Sequence, residues 1–205
     1  CMGCKALYNC PAIFTEERGN AFEKSEQIIR NLLKNLRGDI LDIGCGSINL
    51  YRDILKKLGT KKLIRYTGID IDKKSIDSMR HVYSGDLPLI FINTSIEKYE
   101  KERLFDYIIM LRSINHIEDT TDLVKKISRL LKKGGRILIA DNIPFGLLRE
   151  RKLIPIPDKD RDTKINFQHY HNYKSYEVLD IFLRSKHFKI LKHIAVSPIT
   201  ANQWI

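Results

Sequence analysis

The sequence predicts an α/β fold: a doubly wound, mostly parallel sheet of seven strands, the last expected to be truncated, with helices on both faces. The first observation behind this prediction is that short apolar runs alternate with helical patterns five times along the chain. Parallel strands need crossover helices, so such an alternation is typical of a parallel sheet covered on both faces. The second observation is the length of 205 residues, which suits one well-buried domain.

The elements follow one another in a regular order through the first two thirds of the chain. Apolar runs predict strands over 39–43, 63–70, 87–93, 105–111 and 134–141. Apolar residues at helical spacing predict helices over 22–37, 49–58, 73–83 and 119–132. The first of these helices is expected to stop before Gly38 and the second to end at Gly59, because glycine commonly terminates a helix.

The last third of the chain has a different character. Residues 142–173 contain three prolines, mixed charge and no sustained period, which is typical of a lid or binding loop. A helix over 174–185 and a strand over 188–196 are expected next. The closing residues "ANQWI" are expected to open a final strand.

The chain begins with a cysteine-containing tail, residues 1–21, ahead of a domain over 22–205. Cys1, Cys4 and Cys10 form a C-x2-C-x5-C pattern that suits zinc or an iron–sulfur cluster, but no fourth ligand follows nearby. Free thiols are the alternative, and no bound metal is expected. Because the sequence starts on cysteine, the chain is also considered as a fragment of a longer protein.

Composition excludes several classes of protein. A chain that is 43% hydrophobic and 30% charged is a globular protein rather than a disordered one. No apolar run reaches the roughly 20 residues that span a bilayer, so no membrane partner and a cytoplasmic location are expected. The formal charge of +11 permits nucleic acid as a partner, but many lysines fall on the solvent face of predicted helices. Nucleic acid is therefore not favoured, and the oligomeric state stays open.

The stretch "ILDIGCG", residues 40–46, is where the sequence points to a ligand. A buried strand runs into two glycines, which lets the backbone turn sharply and approach a bound molecule. Asp70 ends the second strand, where a carboxylate can accept from both hydroxyls of a ribose. The dinucleotide pattern G-x-G-x-x-G fails at Asn49, and Asp42 would repel a phosphate. A phosphate-free cofactor with an amino group is favoured.

Over residues 22–196 the chain resembles the class I S-adenosylmethionine-dependent methyltransferases. The resemblance lies in "ILDIGCG", "YTGIDID", "FINTSIEKY", "FDYIIMLRSINHIED" and "LLKKGGRILIADN", which occur in the order of that superfamily. It implies S-adenosylmethionine as cofactor. The cofactor-binding residues that it implies are Asp42, Gly44 and Gly46 at the methionine end, Asp70 at the ribose, Ser95 and Ile96 at the adenine, and Leu111, Arg112 and Ser113 beside the sulfonium. Cys45 and Ile71, which adjoin these residues, are also expected to bind the cofactor.

Two positions depart from that pattern. Ile48 stands where the superfamily usually has a third glycine, and Ser95 replaces the acid that contacts adenine. Cys45 has no histidine beside it in sequence, so packing is its expected role rather than nucleophilic catalysis. The fourth motif also lacks D/N-P-P-Y and the Pro-Cys or Thr-Cys pair, which argues against methylation of nucleic-acid bases by those two routes.

The predicted reaction is methyl transfer to a small molecule, with a hydroxyl as the expected acceptor. A hydroxyl must lose its proton, so a base is expected among His116, His169 and His171. The neighbourhoods "RSINH" and "HYHN" also show a faint resemblance to methyltransferases of glycan biosynthesis. The alternatives are an RNA methyltransferase and a cofactor-binding module of a larger multidomain enzyme.

Overall fold

The computed structural model describes residues 23–46, 51–61, 63–83, 88–100, 104–142, 154–156, 167–171, 173, 175–194, 196 and 203–204. Three predictions lie outside these residues: the tail over 1–21 with its cysteines, Ile48 in the glycine loop, and most of the lid-like insertion. They stay predictions. Within the described residues, no helix is long and apolar enough to cross a membrane.

One mixed sheet organises the molecule. Its strands, in the spatial order β3-β2-β1-β4-β5-β8, are β1 (Gly38–Ile43), β2 (Ile64–Asp70), β3 (Leu89–Asn93), β4 (Phe105–Leu111), β5 (Leu131–Asn142) and β8 (Gln203–Trp204). The first five pair in parallel, and β8 runs antiparallel to β5. The α/β prediction is confirmed, with six strands of this sheet in the described part of the chain.

Helices cover both faces of the sheet, as amphipathic patterns of this kind require. They are α1 (23–33), α2 (Arg52–Thr60), α3 (Lys73–Val82), α4 (Thr120–Leu130) and α5 (Ser175–Arg184). One apolar core joins α1, α2 and α3 to the sheet and contains Ile29, Leu55 and Tyr66. The other joins α4 and α5 to the opposite face and contains Ile108 and Phe182.

The sequence placed the C-terminal end of α2 wrongly. Gly59 lies inside α2, which continues to Thr60, with Lys61 as its C-terminal cap. A glycine ends a helix by adopting the left-handed conformation, and Gly59 is not among the glycines with positive φ.

The predicted strand over 188–196 is also wrong, since its described residues 188–194 have no regular secondary structure. A strand needs a hydrogen-bonded neighbour, and the strand beside β5 is only Gln203–Trp204, at the end of the chain. That short strand confirms the prediction for "ANQWI". Within 142–173, two short strands, β6 (Ile154–Ile156) and β7 (Phe167–His169), pair antiparallel. The sequence did not predict these strands.

The topology also fixes where a ligand would lie. The order of strands reverses between β1 and β4, which are parallel neighbours joined by register pairs such as Asp42 and Ile109. Ligands of open α/β sheets bind outside the carboxyl ends of the strands at such a reversal. The residues after Ile43 and Leu111 therefore border the candidate site.

Candidate functional site

The glycine turn after β1 is held against β2. Gly44 and Cys45 both donate their backbone N–H groups to the carbonyl of Ile69, over 2.9 and 3.1 Å. Gly44 and Gly46 have φ values of 74° and 51°, in the left-handed region that glycine adopts at low cost. A Cβ on Gly44 would lie 2.6 Å from the Cβ of Ser113, so this position also requires glycine for packing.

Asp70 connects the turn to the end of β2. The N–H of Gly46 donates to Asp70 Oδ2 over 2.8 Å, and the N–H of Asp72 donates to Oδ1 over 2.8 Å. A Cβ on Gly46 would meet none of the described residues within 4 Å. The two residues on which the sequence interpretation depended most, Gly46 and Asp70, are thus in direct contact.

Asp42 is a buried carboxyl group beneath the turn. Its Oδ2 accepts a hydrogen bond of 2.6 Å from the hydroxyl of Tyr66, while Oδ1 has no hydrogen-bond partner among the described residues. Burial raises the pKa of Asp42 to about 7, against the lowering effect of the Tyr66 hydrogen bond. The group can therefore change its charge near neutral pH.

Cys45 packs in the first core rather than facing solvent. Burial raises the pKa of its thiol far above the ordinary value, and the nearby Asp42 and Asp70 add to the rise. Since the thiolate is the reactive form, Cys45 is not a nucleophile here. The neighbouring Gly68 makes room for it, because a Cβ at Gly68 would lie 2.8 Å from Cys45 Sγ.

The proposed adenine side of the site follows β2 and β3. Ile71 is 45% exposed beside Asp70, and an exposed apolar side chain there suits contact with a flat ring. Ser95 is half-buried, and its carbonyl accepts from the Thr94 hydroxyl. Ile96 belongs to the second core, where it is buried. Adenine binding by Ser95 and Ile96 stays a prediction.

The residues after β4 form the opposite wall. Ser113 donates its hydroxyl to the carbonyl of Ile43 over 2.6 Å and so ties β4 to the start of the glycine turn. Leu111 ends the strand and packs against the first core. Arg112 has a φ of 61° and donates its N–H to the carbonyl of Ala140 over 2.7 Å.

The guanidinium of Arg112 reaches across to α1, where it forms an ion pair with Glu26. The hydroxyl of Tyr51, just before α2, donates to the same Glu26 oxygen over 3.0 Å. These three side chains come from separate elements that meet beside the glycine turn.

A short 3-10 turn, Ile114–His116, follows the β4 wall and carries the first candidate base. His116 is half-buried, and its N–H donates to the carbonyl of Ser113 over 3.1 Å. The fully buried Asn115 of the same turn holds the end of the insertion. Its carbonyl accepts from the N–H groups of Tyr170 and His171, and its Oδ1 accepts from the N–H of Tyr173 over 2.9 Å.

His171 is therefore fixed near the turn that carries His116. Its Nε2 lies 2.9 Å from the carbonyl oxygen of Glu118, and its ring stacks on Tyr173 at a centroid distance of 4.4 Å. The Tyr173 hydroxyl in turn lies 3.1 Å from Thr120 Oγ1. A carbonyl only accepts, so Nε2 carries the proton and Nδ1 is the nitrogen that can act as a base.

His169 and His171, two of the candidate bases, do not share a strand. β7 ends at His169, whose backbone pairs with Ile154, and His171 follows it outside the strand. The side chain of His169 lies outside the described part of the structure.

Sequence reasoning missed Tyr66, Glu26, Tyr51 and Asn115. Tyr66 carried a detectable signal: it lies two residues before Gly68, and Gly68 pairs with Asp42, so strand periodicity places both side chains on one face. Asn115 lies next to the predicted His116, but its role depends on a contact about 55 residues away along the chain, which periodicity does not reveal.

Comparison with known proteins points to one family. Residues 41–137 match the family model described as a methyltransferase domain. The chain is 33% identical over 109 residues to a ubiquinone biosynthesis O-methyltransferase of Pelagibacter ubique, a match that covers 53% of this chain and 42% of the relative. The chain spans about two fifths to half the length of the curated relatives that it matches.

Solved structures share the fold. The N-methyltransferase NodS from Bradyrhizobium japonicum WM9 has a TM-score of 0.63 at 15% identity, over 92% of this chain and 95% of NodS. DhpI in complex with SAH has a TM-score of 0.62 at 16% identity, over 91% of this chain and 84% of DhpI. At these identities the likeness is one of fold.

Proposed function

The chain belongs to the class I S-adenosylmethionine-dependent methyltransferases, and from this premise we propose that it methylates a small molecule at a hydroxyl group. S-adenosylmethionine is the cofactor of this family. When bound, it supplies an electrophilic methyl group on a sulfonium. The protein's part is to align the acceptor with that methyl group and to receive the proton of the acceptor.

The observation that carries this proposal is the contact between Gly46 and Asp70. It joins a glycine turn to a carboxylate at the carboxyl edge of the sheet, and among the described residues none would lie within 4 Å of a Cβ on Gly46. We expect Asp70 to accept from the ribose, with Asp42, Gly44, Cys45 and Gly46 bordering the amino-acid end. Asp42, with an unpartnered buried oxygen, suits a cationic ligand better than a phosphate.

The choice of a hydroxyl acceptor rests on two supports. Curated relatives are named as O-methyltransferases of ubiquinone biosynthesis. In this chain, the carbonyl of Asn115, the residue before His116, accepts from the N–H of His171 and so links the two segments that carry these histidines. His116, His169 and His171 are proposed as the candidate bases, and a sugar hydroxyl remains one form of the acceptor.

The proposed acceptor class is tested by incubating the full chain with labelled S-adenosylmethionine and separate panels of phenols, sugars and RNA. We expect label on a phenol or a sugar. Transfer to RNA alone would contradict the proposal. Cofactor binding without transfer to any panel would favour the cofactor-binding module of a larger enzyme.

Once an acceptor is found, alanine variants of the three histidines test the base. Loss of a general base should reduce turnover by about 100-fold while the affinity for SAH stays unchanged. His187→Ala is the matched control, since His187 follows α5 and its ring contacts Phe188. If all three variants turn over like wild type, alignment alone carries the reaction and the base assignment is wrong.

A further inference from the structure

The imidazole ring of His171 is fixed at one nitrogen and on one face. Its Nε2 lies 2.9 Å from the carbonyl oxygen of Glu118, so this nitrogen carries the proton and donates. The ring stacks on that of Tyr173, with centroids 4.4 Å apart and 20° between the planes. Among the residues that the structure describes, Nδ1 has no hydrogen-bond partner. These contacts favour one tautomer and leave its basic nitrogen available.

Tyr173 is itself held at both ends. Its backbone N–H donates to Asn115 Oδ1 over 2.9 Å, and its hydroxyl lies 3.1 Å from Oγ1 of Thr120, the buried first residue of α4. Burial raises the pKa of Tyr173, so the hydroxyl stays protonated at neutral pH. The aromatic ring that stacks on His171 is therefore fixed to both the 3-10 turn and α4.

A continuous set of contacts connects His171 to the start of the glycine turn. The N–H of His171 donates to the carbonyl of Asn115 over 3.2 Å, and Asn115 is fully buried. Two residues earlier, the Ser113 hydroxyl donates to the carbonyl of Ile43 over 2.6 Å. The backbone that carries the imidazole is thus attached to the carboxyl edge of the sheet, where the cofactor is proposed to bind.

We propose that His171 takes the proton of the acceptor hydroxyl, and that Tyr173 is the positioning residue of its imidazole. The inference deepens the proposed function and rests on it, because it assumes methyl transfer to a hydroxyl at the carboxyl edge. It selects one of the three candidate bases. It also gives a role in the reaction to Tyr173, which is not one of them.

The contact with Glu118 suits both charge states of this base. As the acceptor oxygen bonds to the methyl carbon, the hydroxyl proton passes to Nδ1 of His171. The bond between that carbon and sulfur breaks, and its electron pair stays on sulfur. The imidazole becomes an imidazolium whose Nε2–H still donates to the Glu118 carbonyl. A hydrogen bond from a cationic donor is stronger than one from a neutral donor, so this carbonyl stabilises the protonated base.

Glutamine at position 171 separates a base from an anchor. The contacts of His171 would also fix residues 170–173 without taking part in the reaction. The side-chain amide of glutamine can donate to the Glu118 carbonyl as Nε2 does, but an amide has no basic nitrogen. If His171 only anchors this segment, His171→Gln should behave like wild type. If His171 is the base, His171→Gln should be inactive although the anchor is kept.

The first experiment measures transfer from labelled S-adenosylmethionine to panels of phenols and sugars by the full chain. We expect His171→Gln and His171→Ala to lose about 100-fold or more in turnover, as on loss of a general base, with unchanged calorimetric affinity for SAH. Added imidazole should restore part of the turnover of His171→Ala by replacing the missing ring. His187→Gln is the matched control and should turn over like wild type, since its ring contacts Phe188 after α5.

The second experiment tests the positioning by Tyr173. Tyr173→Phe keeps the stacked ring and Tyr173→Leu removes it. Tyr173→Leu should lower kcat by about tenfold with little change in KM, because a misplaced base slows the reaction without weakening binding, and Tyr173→Phe should keep most of the turnover. Nitrogen-15 NMR of the imidazoles gives a readout that needs no acceptor, with His171 assigned by the signal missing from His171→Gln. One Nε2–H tautomer is expected in wild type and Tyr173→Phe, and a mixture of tautomers in Tyr173→Leu.

The outcomes distinguish this inference from the proposed function. Equal turnover in wild type and His171→Gln, or a mixture of tautomers in wild type, overturns the assignment of the base while hydroxyl methylation stands. Turnover and tautomer in Tyr173→Leu like those of wild type overturn the role of Tyr173. A wild type that binds SAH but methylates neither panel overturns the proposed hydroxyl transfer and this inference together.

Discussion

The carboxyl groups at the two ends of the parallel strands have different kinds of hydrogen-bond partner. The amino edge is the end of the sheet at which these strands begin, and the carboxyl edge is the end at which they finish. At the amino edge, Asp39 accepts a bidentate contact from Arg65 at 2.7 and 2.6 Å, and Asp106 pairs with Lys132 at 2.8 Å. At the carboxyl edge, Asp42 accepts from the Tyr66 hydroxyl, and Asp70 accepts from backbone N–H groups. At the amino edge these carboxylates pair with cationic side chains, and at the carboxyl edge Asp42 and Asp70 accept from neutral O–H and N–H donors.

The pKa values reflect this difference. The hydrogen bond from Lys132 lowers the pKa of Asp106, whereas burial raises the pKa of Asp42 to about 7. Lysine and arginine at the amino edge neutralise charge and fasten neighbouring strands together. The carboxyl edge retains the buried Asp42, whose Oδ1 has no hydrogen-bond partner among the described residues. The comparison teaches that one end of the same sheet is fastened by ion pairs, while the other end is the one proposed to bind the cofactor.

The largest expected effect on stability is that of Gly44→Ala at the carboxyl edge, and Gly134→Ala near the amino edge is its comparison. Gly44→Ala combines a left-handed backbone with a Cβ 2.6 Å from Ser113, so we expect it to lower the free energy of unfolding by about 4 kcal/mol. Gly134, near the amino edge, has a φ of 79° but open space around it. Gly134→Ala should cost only about 1 kcal/mol. Denaturant unfolding checks both values, and equal costs would remove the packing argument for Gly44.

The next effect is on the pH dependence of the unfolding free energy, which is expected to have opposite signs for Asp42 at the carboxyl edge and Asp106 at the amino edge. The folded pKa of Asp42, about 7, lies above the ordinary value of 3.8, so stability from this group is full below about pH 4 and is lost as pH rises through 7. Relative to Asp42→Asn, wild type should lose about 3 kcal/mol of unfolding free energy between pH 4 and 8.

Asp106→Asn is the comparison for this pH effect. The pKa of Asp106 is lowered, so its contribution is present above its unfolded pKa and is lost only as pH falls. The difference between wild type and Asp106→Asn should be flat from pH 5 to 8 and shrink in acid. A flat difference for Asp42→Asn over the same range would contradict the buried-carboxyl account.

A smaller effect is expected at Asn115. Asn115→Ala removes the acceptor of the Tyr173 N–H, which should cost about 1 to 2 kcal/mol and speed hydrogen exchange in residues 170–173. Mass spectrometry of exchanged peptides measures this change. Asn35→Ala is the control, because its exposed side-chain amide donates to the Asn31 carbonyl within α1 and its C-terminal turn. Unchanged exchange over 170–173 would show that Asn115 does not hold this segment.

The sequence predicted the parallel part of the sheet to within three residues, because each strand is an apolar run with turn residues at its ends, and the largest error is at the start of β5, which begins at Leu131. It also placed Gly44, Gly46 and Asp70 together, since the carboxyl ends of neighbouring parallel strands meet at one edge. β6 and β7 were missed because strands of three residues show no measurable period. The prediction of a strand over 188–196 was wrong because strand pairing depends on a partner elsewhere in the chain.

Side-chain contacts across the fold were the least accessible part of the site. The ion pair of Arg112 with Glu26 joins residues 86 positions apart, and the hydrogen bond from the Tyr173 N–H to Asn115 Oδ1 joins residues 58 positions apart. Such contacts depend on how helices and loops dock on the sheet. Local patterns of apolar residues and turns carry no information about them.

The most direct test of the central claim is a calorimetric titration of SAH into wild type, Asp70→Ala and Asp106→Ala. The claim is that the carboxyl edge binds the cofactor and that Asp70 is one of its acceptors. We predict that Asp70→Ala weakens binding by about 1.5 to 3 kcal/mol, as expected for hydrogen bonds to a charged group, and that Asp106→Ala binds like wild type. Equal affinity in wild type and Asp70→Ala would contradict the claim.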